Sequence, residues 1–280
     1  MEKSLKFCLS LFCLVLVFSC KKETNLSLNE KQILAEETYK KAIQFTQGST
    51  AFQNGIADAV AINSNYETAV YELSVAHLKR GMPHKWLPQY NKAVKLDSIT
   101  RIPWRGYLYL WFYRDYKKAI ADFNASDTLT PNYIDTPQGH DVDYWRGIAY
   151  LGLKDYKKSL AFFNKHIIRE TEEWGDDSVE VTAFLYRGIV LLETGNYTEA
   201  LKDFDKVIFY NREHSADAKY YKAIIFKDTN SIKAKTFIEA SIEDFNNGYY
   251  NQRPYVETMR QLYLQDLELL NNELQAQLKS

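Results

Sequence analysis

The sequence predicts an all-α protein built as a solenoid of repeated helical hairpins, and three observations carry that prediction. Three stretches beginning at Trp104, Tyr144 and Tyr186 align by eye: WRGYLYLWFYRDYKKAIADFN, YWRGIAYLGLKDYKKSLAFFN and YRGIVLLETGNYTEALKDFD. Each carries a glycine in a first apolar segment (Gly106, Gly147, Gly188) and an aromatic just after a polar turn (Tyr116, Tyr156, Tyr197). Each then places a small residue four before a phenylalanine: Ala119/Phe123, Ser159/Phe163 and Ala200/Phe204. The glycine-to-small interval of 13, 12 and 12 residues fits a helix, a tight turn and a second helix. Small side chains let antiparallel helices approach closely, and bulky neighbours fill the flanking grooves. A lone hairpin cannot bury its second apolar face, so hairpins must stack.

Taken in order, the chain opens with Lys3 and Lys6 ahead of an apolar run, Phe7 to Phe18, closed by Ser19, Cys20, Lys21 and Lys22. A bilayer-spanning helix takes about 20 apolar residues, so this run reads instead as a secretion signal over 1–19. Of three cysteines, Cys8 and Cys13 fall inside it, and the mature chain keeps Cys20 alone, with no disulfide framework. The ending resembles a bacterial lipobox, which implies cleavage before Cys20 and attachment of a diacylglyceryl group to its sulfur. The expectation is a lipoprotein of the bacterial cell envelope at the outer membrane, with polar residues 20–29 as a tether. A formal charge of -1 and the absence of a basic tail argue against a nucleic-acid partner.

Residues 30–252 are expected to form five or six hairpins. The first is degenerate, with helical patterns over Lys31 to Gln47 and at Phe52, Ile56, Ala59 and Ile62, broken at Gly48 and Ser49. The second, Tyr66 to Asp97, has Ser74 at the small-residue position, Gly81 in its turn, and Pro88 early in its second helix. After the three clear copies comes a sixth, read as stretched, with Ala223 as its small residue and Ser241/Phe245 as its later pair. On that register Phe123, Phe163, Phe204 and Phe245 recur at 40, 41 and 41 residues, the surplus falling in inter-hairpin insertions at 130–143 and 170–182. Leucines at helical spacing predict a single capping helix over 253–280.

These residues resemble the tetratricopeptide repeat (TPR) family, whose signature runs W-x2-L-G-x2-Y, then A-x3-F, then P. Gly147, Tyr150, Ser159 and Phe163 match it, as do Gly188, Ala200 and Phe204, and Pro131 supplies a closing proline. Arg105, Arg146 and Arg187 stand where the signature has Leu. The resemblance implies a right-handed superhelical solenoid of TPR-like hairpins with a C-terminal capping helix. It implies a concave groove lined by first-helix residues, here Tyr71, Tyr107, Trp111, Tyr144, Ile148, Leu185, Ile189 and Tyr220, that binds a protein or peptide. A monomeric, non-enzymatic scaffold is expected, touching the membrane only through its lipid.

The insertions are the other candidate surface, a partner-binding rim represented by His140 and Trp174. In the first, Asp135, His140, Asp141 and Asp143 offer ligand types for a hard cation, but their spacing matches no metal motif. Helix capping by Asp141 or Asp143 is the reading adopted, and no metal or cofactor is expected. The second surrounds Trp174 with carboxylates. Arg105, Arg146 and Arg187, with Lys222, are expected to pair with Asp122, Asp203 and Asp244 rather than to bind an anion. No phosphate loop, nucleophile elbow, HExxH or CxxC pair occurs in the mature chain, which argues against an enzyme. Two other classes stay open: a glycan-binding lipoprotein of a polysaccharide-uptake system, stacking sugars on some of 21 Tyr and 5 Trp, and a metal-dependent hydrolase using His140.

Overall fold

A computed structural model describes residues 26–279. The expected signal sequence, Cys20 and most of the expected tether lie outside them. The described residues form thirteen α-helices and no strand. They divide into two compact units, up to Ala76 and from His77 onward.

The first unit holds α1 (Leu28–Ala42), α2 (Thr50–Ile62) and most of α3 (Glu67–Lys79). Helix α1 starts inside the expected tether because Ser27 and Glu30 form a capping box, each satisfying the other's backbone N–H. Gly55 of α2 faces Ala42 of α1 so closely that an added Cβ would lie 2.6 Å from the alanine Cβ. Phe52, Ile56, Ala59 and Ala69 close the apolar cluster around that crossing.

The second unit continues with α4 (Pro83–Leu96), then stacks four hairpins. These are α5 (Ser98–Leu108) with α6 (Tyr116–Leu129), α7 (Val142–Gly152) with α8 (Tyr156–Trp174), α9 (Val181–Glu193) with α10 (Tyr197–Tyr210), and α11 (Ala216–Phe226) with α12 (Ser231–Asn246). Helix α13 (Leu264–Gln277) packs on α12. The turn residues start the second helices: Asp115, Asp155 and Asn230 accept from the N–H three residues on, at 3.0 to 3.2 Å. The glycine notches work by direct contact. A Cβ on Gly106, Gly147 or Gly188 would lie 2.7 Å from the ring of Phe123, Phe163 or Phe204, so the phenylalanine packs on the bare backbone itself. In the α7/α8 hairpin the Ser159 hydroxyl donates to the Gly147 carbonyl at 2.7 Å, a hydrogen bond alanine cannot make.

Two irregularities in spacing have structural causes. The extra residue between Gly106 and Ala119 is absorbed by a π-helical turn, Tyr109–Tyr113, that extends α5 and ends with Arg114 in the left-handed region at φ 53°. The sixth hairpin is not stretched. Helix α12 begins within residues 228–237, read from sequence as a longer connection or a longer helix, and is capped by Asn230, so the small residue four before the large one is Ala234 and its partner Ile238, both fully buried. Ser241 and Phe245 lie further along, where the Ser241 hydroxyl binds the Ala216 carbonyl at 2.6 Å. Phe204 to Ile238 is 34 residues, the undisturbed family period, because no insertion precedes this hairpin.

The recurrent cations are structural. Arg105 and Arg187 each grip the aspartate of their own hairpin, Asp122 and Asp203, through two nitrogens at 2.6 to 2.8 Å. Each also reaches an asparagine of the preceding element, Asn91 at 2.8 Å and Asn164 at 3.0 Å. Arg146, with Phe162 where the aspartate would be, binds Asn124 at 3.2 Å and Asp143 at 2.7 Å, and Lys222 pairs with Asp205. Asn124, Asn164 and Asp205 each follow the hairpin's phenylalanine, so the ladder ties every repeat to its predecessor. Asp244 pairs instead with Lys219 at 2.6 Å.

Candidate functional site

The first helices α7, α9 and α11 lie side by side, giving the second unit a first-helix face. That face is covered. Residues 250–262 form no helix and make no backbone-to-backbone hydrogen bond with one another; they run across the face, held by side chains. Arg253 is central. Its guanidinium stands 4.4 Å from the Trp111 ring centroid, 5.5 Å from Tyr107 and 5.7 Å from Trp145, and it donates to the Tyr107 hydroxyl. Asn251 donates to the Tyr186 hydroxyl at 2.9 Å, Arg114 donates to the Glu257 carbonyl, and Arg260 forms a two-pronged pair with Glu193 at 2.7 and 2.9 Å. Met259 and Leu262 are buried.

This strap corrects both the capping helix and the groove. Only Leu264–Gln277 of the expected 253–280 helix is helical, since Pro254 lacks an N–H and Tyr255 and Arg260 take positive φ of 71° and 56°. Tyr107, Trp111, Tyr144, Ile148, Leu185 and Ile189 are all buried rather than lining an open groove. Tyr107 and Trp111 lie beneath Arg253, whereas Tyr144 packs among His140, Trp145 and His166 and bonds the Thr182 hydroxyl at 2.6 Å. Tyr220 is half-buried against the α11 to α13 cluster. Tyr71 belongs to the first unit and is half-buried there.

Where the strap leaves α12, a cavity of about 470 Å³ is bounded by Leu185, Tyr210, His214, Asp217 and Tyr249. Burial pushes the Asp217 carboxyl up to about 6, although the Asn251 N–H, 2.7 Å from it, favours the ionised form. Sequence reasoning missed Asn251, Arg253, Arg260 and Asp217. The available signal was Arg253 and Arg260 inside a stretch otherwise read as an apolar-faced helix.

The rim is organised by α8, which reaches five residues further than α10, so Glu170 to Trp174 are helical rather than looped. The first insertion folds back beside it through the turn Pro137–Gly139, whose Pro137 carbonyl accepts from the Trp145 indole at 2.9 Å. Asp141 is the cap, accepting from Tyr144 N at 2.8 Å. It also holds His166 Nδ1 at 2.7 Å and binds Arg169. Burial raises the Asp141 carboxyl, but the hydrogen bonds from His166 and the Tyr144 N–H, together with the Arg169 charge, outweigh it and bring it to about 2. His140 sits 4.0 Å from Glu180, and burial lowers its pKa more than Glu180 raises it. Asp141, His166 and Glu170 offer ligand atoms within 4.8 Å of one another, but Arg169 already supplies the positive charge on Asp141, and His140 is not in that set. Trp174 is 66 % exposed, whereas Trp86, Trp111 and Trp145 are buried and Trp104 half-buried.

Among the described residues no helix is long and apolar enough to cross a membrane. No curated protein matches the chain by sequence. Solved structures do match by fold. A structure of pilF from Pseudomonas aeruginosa superposes at TM-score 0.59 and 15 % identity, covering 89 % of this chain and 98 % of its own. PilW, a widely conserved type IV pilus biogenesis factor, gives 0.59 at 14 % identity over 76 % and 94 %. YrrB, a TPR protein with an unusual peptide-binding site, gives 0.50 at 22 % over 69 % and 93 %. The tetratricopeptide repeat family description matches residues 180–230, the α9/α10 hairpin with its flanks, and the notches and stacking seen across the second unit give it the fold of a tetratricopeptide repeat solenoid.

Proposed function

We propose that this protein is a non-enzymatic interaction scaffold of the bacterial cell envelope, anchored by lipid on Cys20, whose first-helix face receives an extended segment of a protein partner. One observation carries the reading: that face already holds an extended segment, the chain's own strap, through contacts in which at least one partner is always a side chain. A partner segment must compete with the strap. The envelope location rests on the N-terminal sequence, and the pilus biogenesis factor among the neighbours supports it at the level of fold. Sugar stacking is disfavoured, because Trp174 is the only exposed tryptophan of five.

The test uses a synthetic peptide of residues 249–263 added in trans to the full chain. Binding to the Arg253→Ala/Arg260→Ala variant is expected to be at least about tenfold tighter than to wild type, with Trp111 and Trp145 emission shifting as the peptide seats. A variant with an intact circular dichroism spectrum that takes up no peptide sinks the reading of the face. For the anchor, Cys20→Ser is expected to move the chain from the membrane to the soluble fraction, and retention on the membrane would overturn that part.

A further inference from the structure

The two insertions meet over the C-terminal half of α8 and leave a cavity of about 780 Å³ between them. One stripe of α8 faces it: His166, then Glu170 a turn later, then Glu173 and Trp174 after a second turn. Glu180 and His140 come from the facing segments, and Tyr133, 64 % exposed, stands at the mouth.

The lining is rich in negative charge. Glu170 and Glu173 form no ion pair among the described residues, and Glu180 accepts only from Thr182 apart from the distant His140. Arg169 is the only lysine or arginine in the wall, and its nitrogens are engaged by Asp141 and Asp143. The His166 ring is buried, yet its Nε2 has no hydrogen-bond partner. The Asp141 carboxylate accepts from Nδ1, so Nδ1 is occupied and Nε2 is the ring atom left for a ligand. Three carboxylates, a buried ring nitrogen without a partner and the exposed faces of Trp174 and Tyr133 call for a ligand that brings positive charge, polar hydrogen-bonding groups and a surface able to lie on an indole.

We propose that this cavity docks an arginine- or lysine-bearing segment of a protein partner, the cationic head entering between Glu170, Glu173 and Glu180 while its stem lies along Trp174. The proposal does not rest on the reading of the strap-covered face, although the wall residue His140 packs on Trp145 and feels the charge of Arg253.

The probe is a fluorescein-labelled nine-residue Gly-Ser-Arg repeat peptide, compared with the same peptide carrying neutral citrulline in place of arginine. Saturable binding of the arginine peptide to the full chain is expected, weaker by at least tenfold for citrulline, for Glu170→Gln/Glu173→Gln and for Trp174→Ala. All three substituted residues are exposed or half-buried, so the fold should survive. Equal binding of the two peptides, or binding indifferent to the Glu170, Glu173 and Trp174 variants, would overturn the proposal. So would complete displacement of the arginine peptide by sub-millimolar spermine, which would make the cavity a site for small polyamines.

Discussion

At the scale of single residues, two kinds of buried group differ in how far the sequence reveals them. The notch glycines are legible because sterics alone demand them: a Cβ 2.7 Å from a phenylalanine ring has nowhere to go. Asp217 is not legible, because what buries it arrives from the strap more than thirty residues later. Its consequence is measurable. A carboxyl held at about 6 when folded and near 3.8 when unfolded binds its proton more tightly in the folded state, so its contribution is fully present below pH 3.8 and lost as pH rises through 6. The rise of 2.2, at 1.36 kcal/mol per unit, corresponds to about 3 kcal/mol. Urea unfolding of wild type and Asp217→Asn at pH 4 and pH 7 should therefore show the stability difference between them shifting by up to that amount in favour of the variant at pH 7. A difference independent of pH would mean that Asp217 ionises freely in the folded chain.

At the scale of elements, the hairpins show a coupled choice of residues. Where the first helix carries glycine, the second carries phenylalanine; in α11/α12 the first carries Ala223 and the second Ile238, and both sit in one apolar cluster. The alanine methyl takes the space a ring would need. Ile238→Phe should then overpack the hairpin and cost about 1–3 kcal/mol, and adding Ala223→Gly should recover part of that loss. Additive effects in the double-mutant cycle, read by thermal unfolding, would show that the two positions do not share a notch. The same pair explains why the register of this hairpin was hidden: without a glycine or phenylalanine, the later Ser241/Phe245 offered a better match to the pattern although Asn230 had already started the helix. The overhang of α8 was equally obscure, because a run of glutamates is as compatible with an exposed helical turn as with a loop.

At the scale of the molecule, the strap changes what kind of solenoid the second unit is. Stacked repeats ordinarily touch only their neighbours, so stability is a sum of local terms and the array can unfold in parts. The family period and the cation ladder between consecutive hairpins lead to that expectation. The strap breaks it by joining distant repeats: Arg253 to Tyr107 and Arg114 to Glu257 reach back to the α5 hairpin, while Asn251 to Tyr186 and Arg260 to Glu193 engage α9. Fraying at α5 must therefore disturb the strap, and the strap in turn is covalently continuous with α12 and α13. Guanidinium unfolding of wild type followed by tryptophan emission, which senses Trp111 and Trp145 under the strap, should coincide with the helical signal in far-ultraviolet circular dichroism. In Arg253→Ala/Arg260→Ala the emission change should come first, at lower denaturant, with most of the helical signal still present. Coincident curves in the variant would mean that nearest-neighbour packing alone makes this unit cooperative, and that the strap lies on the first-helix face without fastening it.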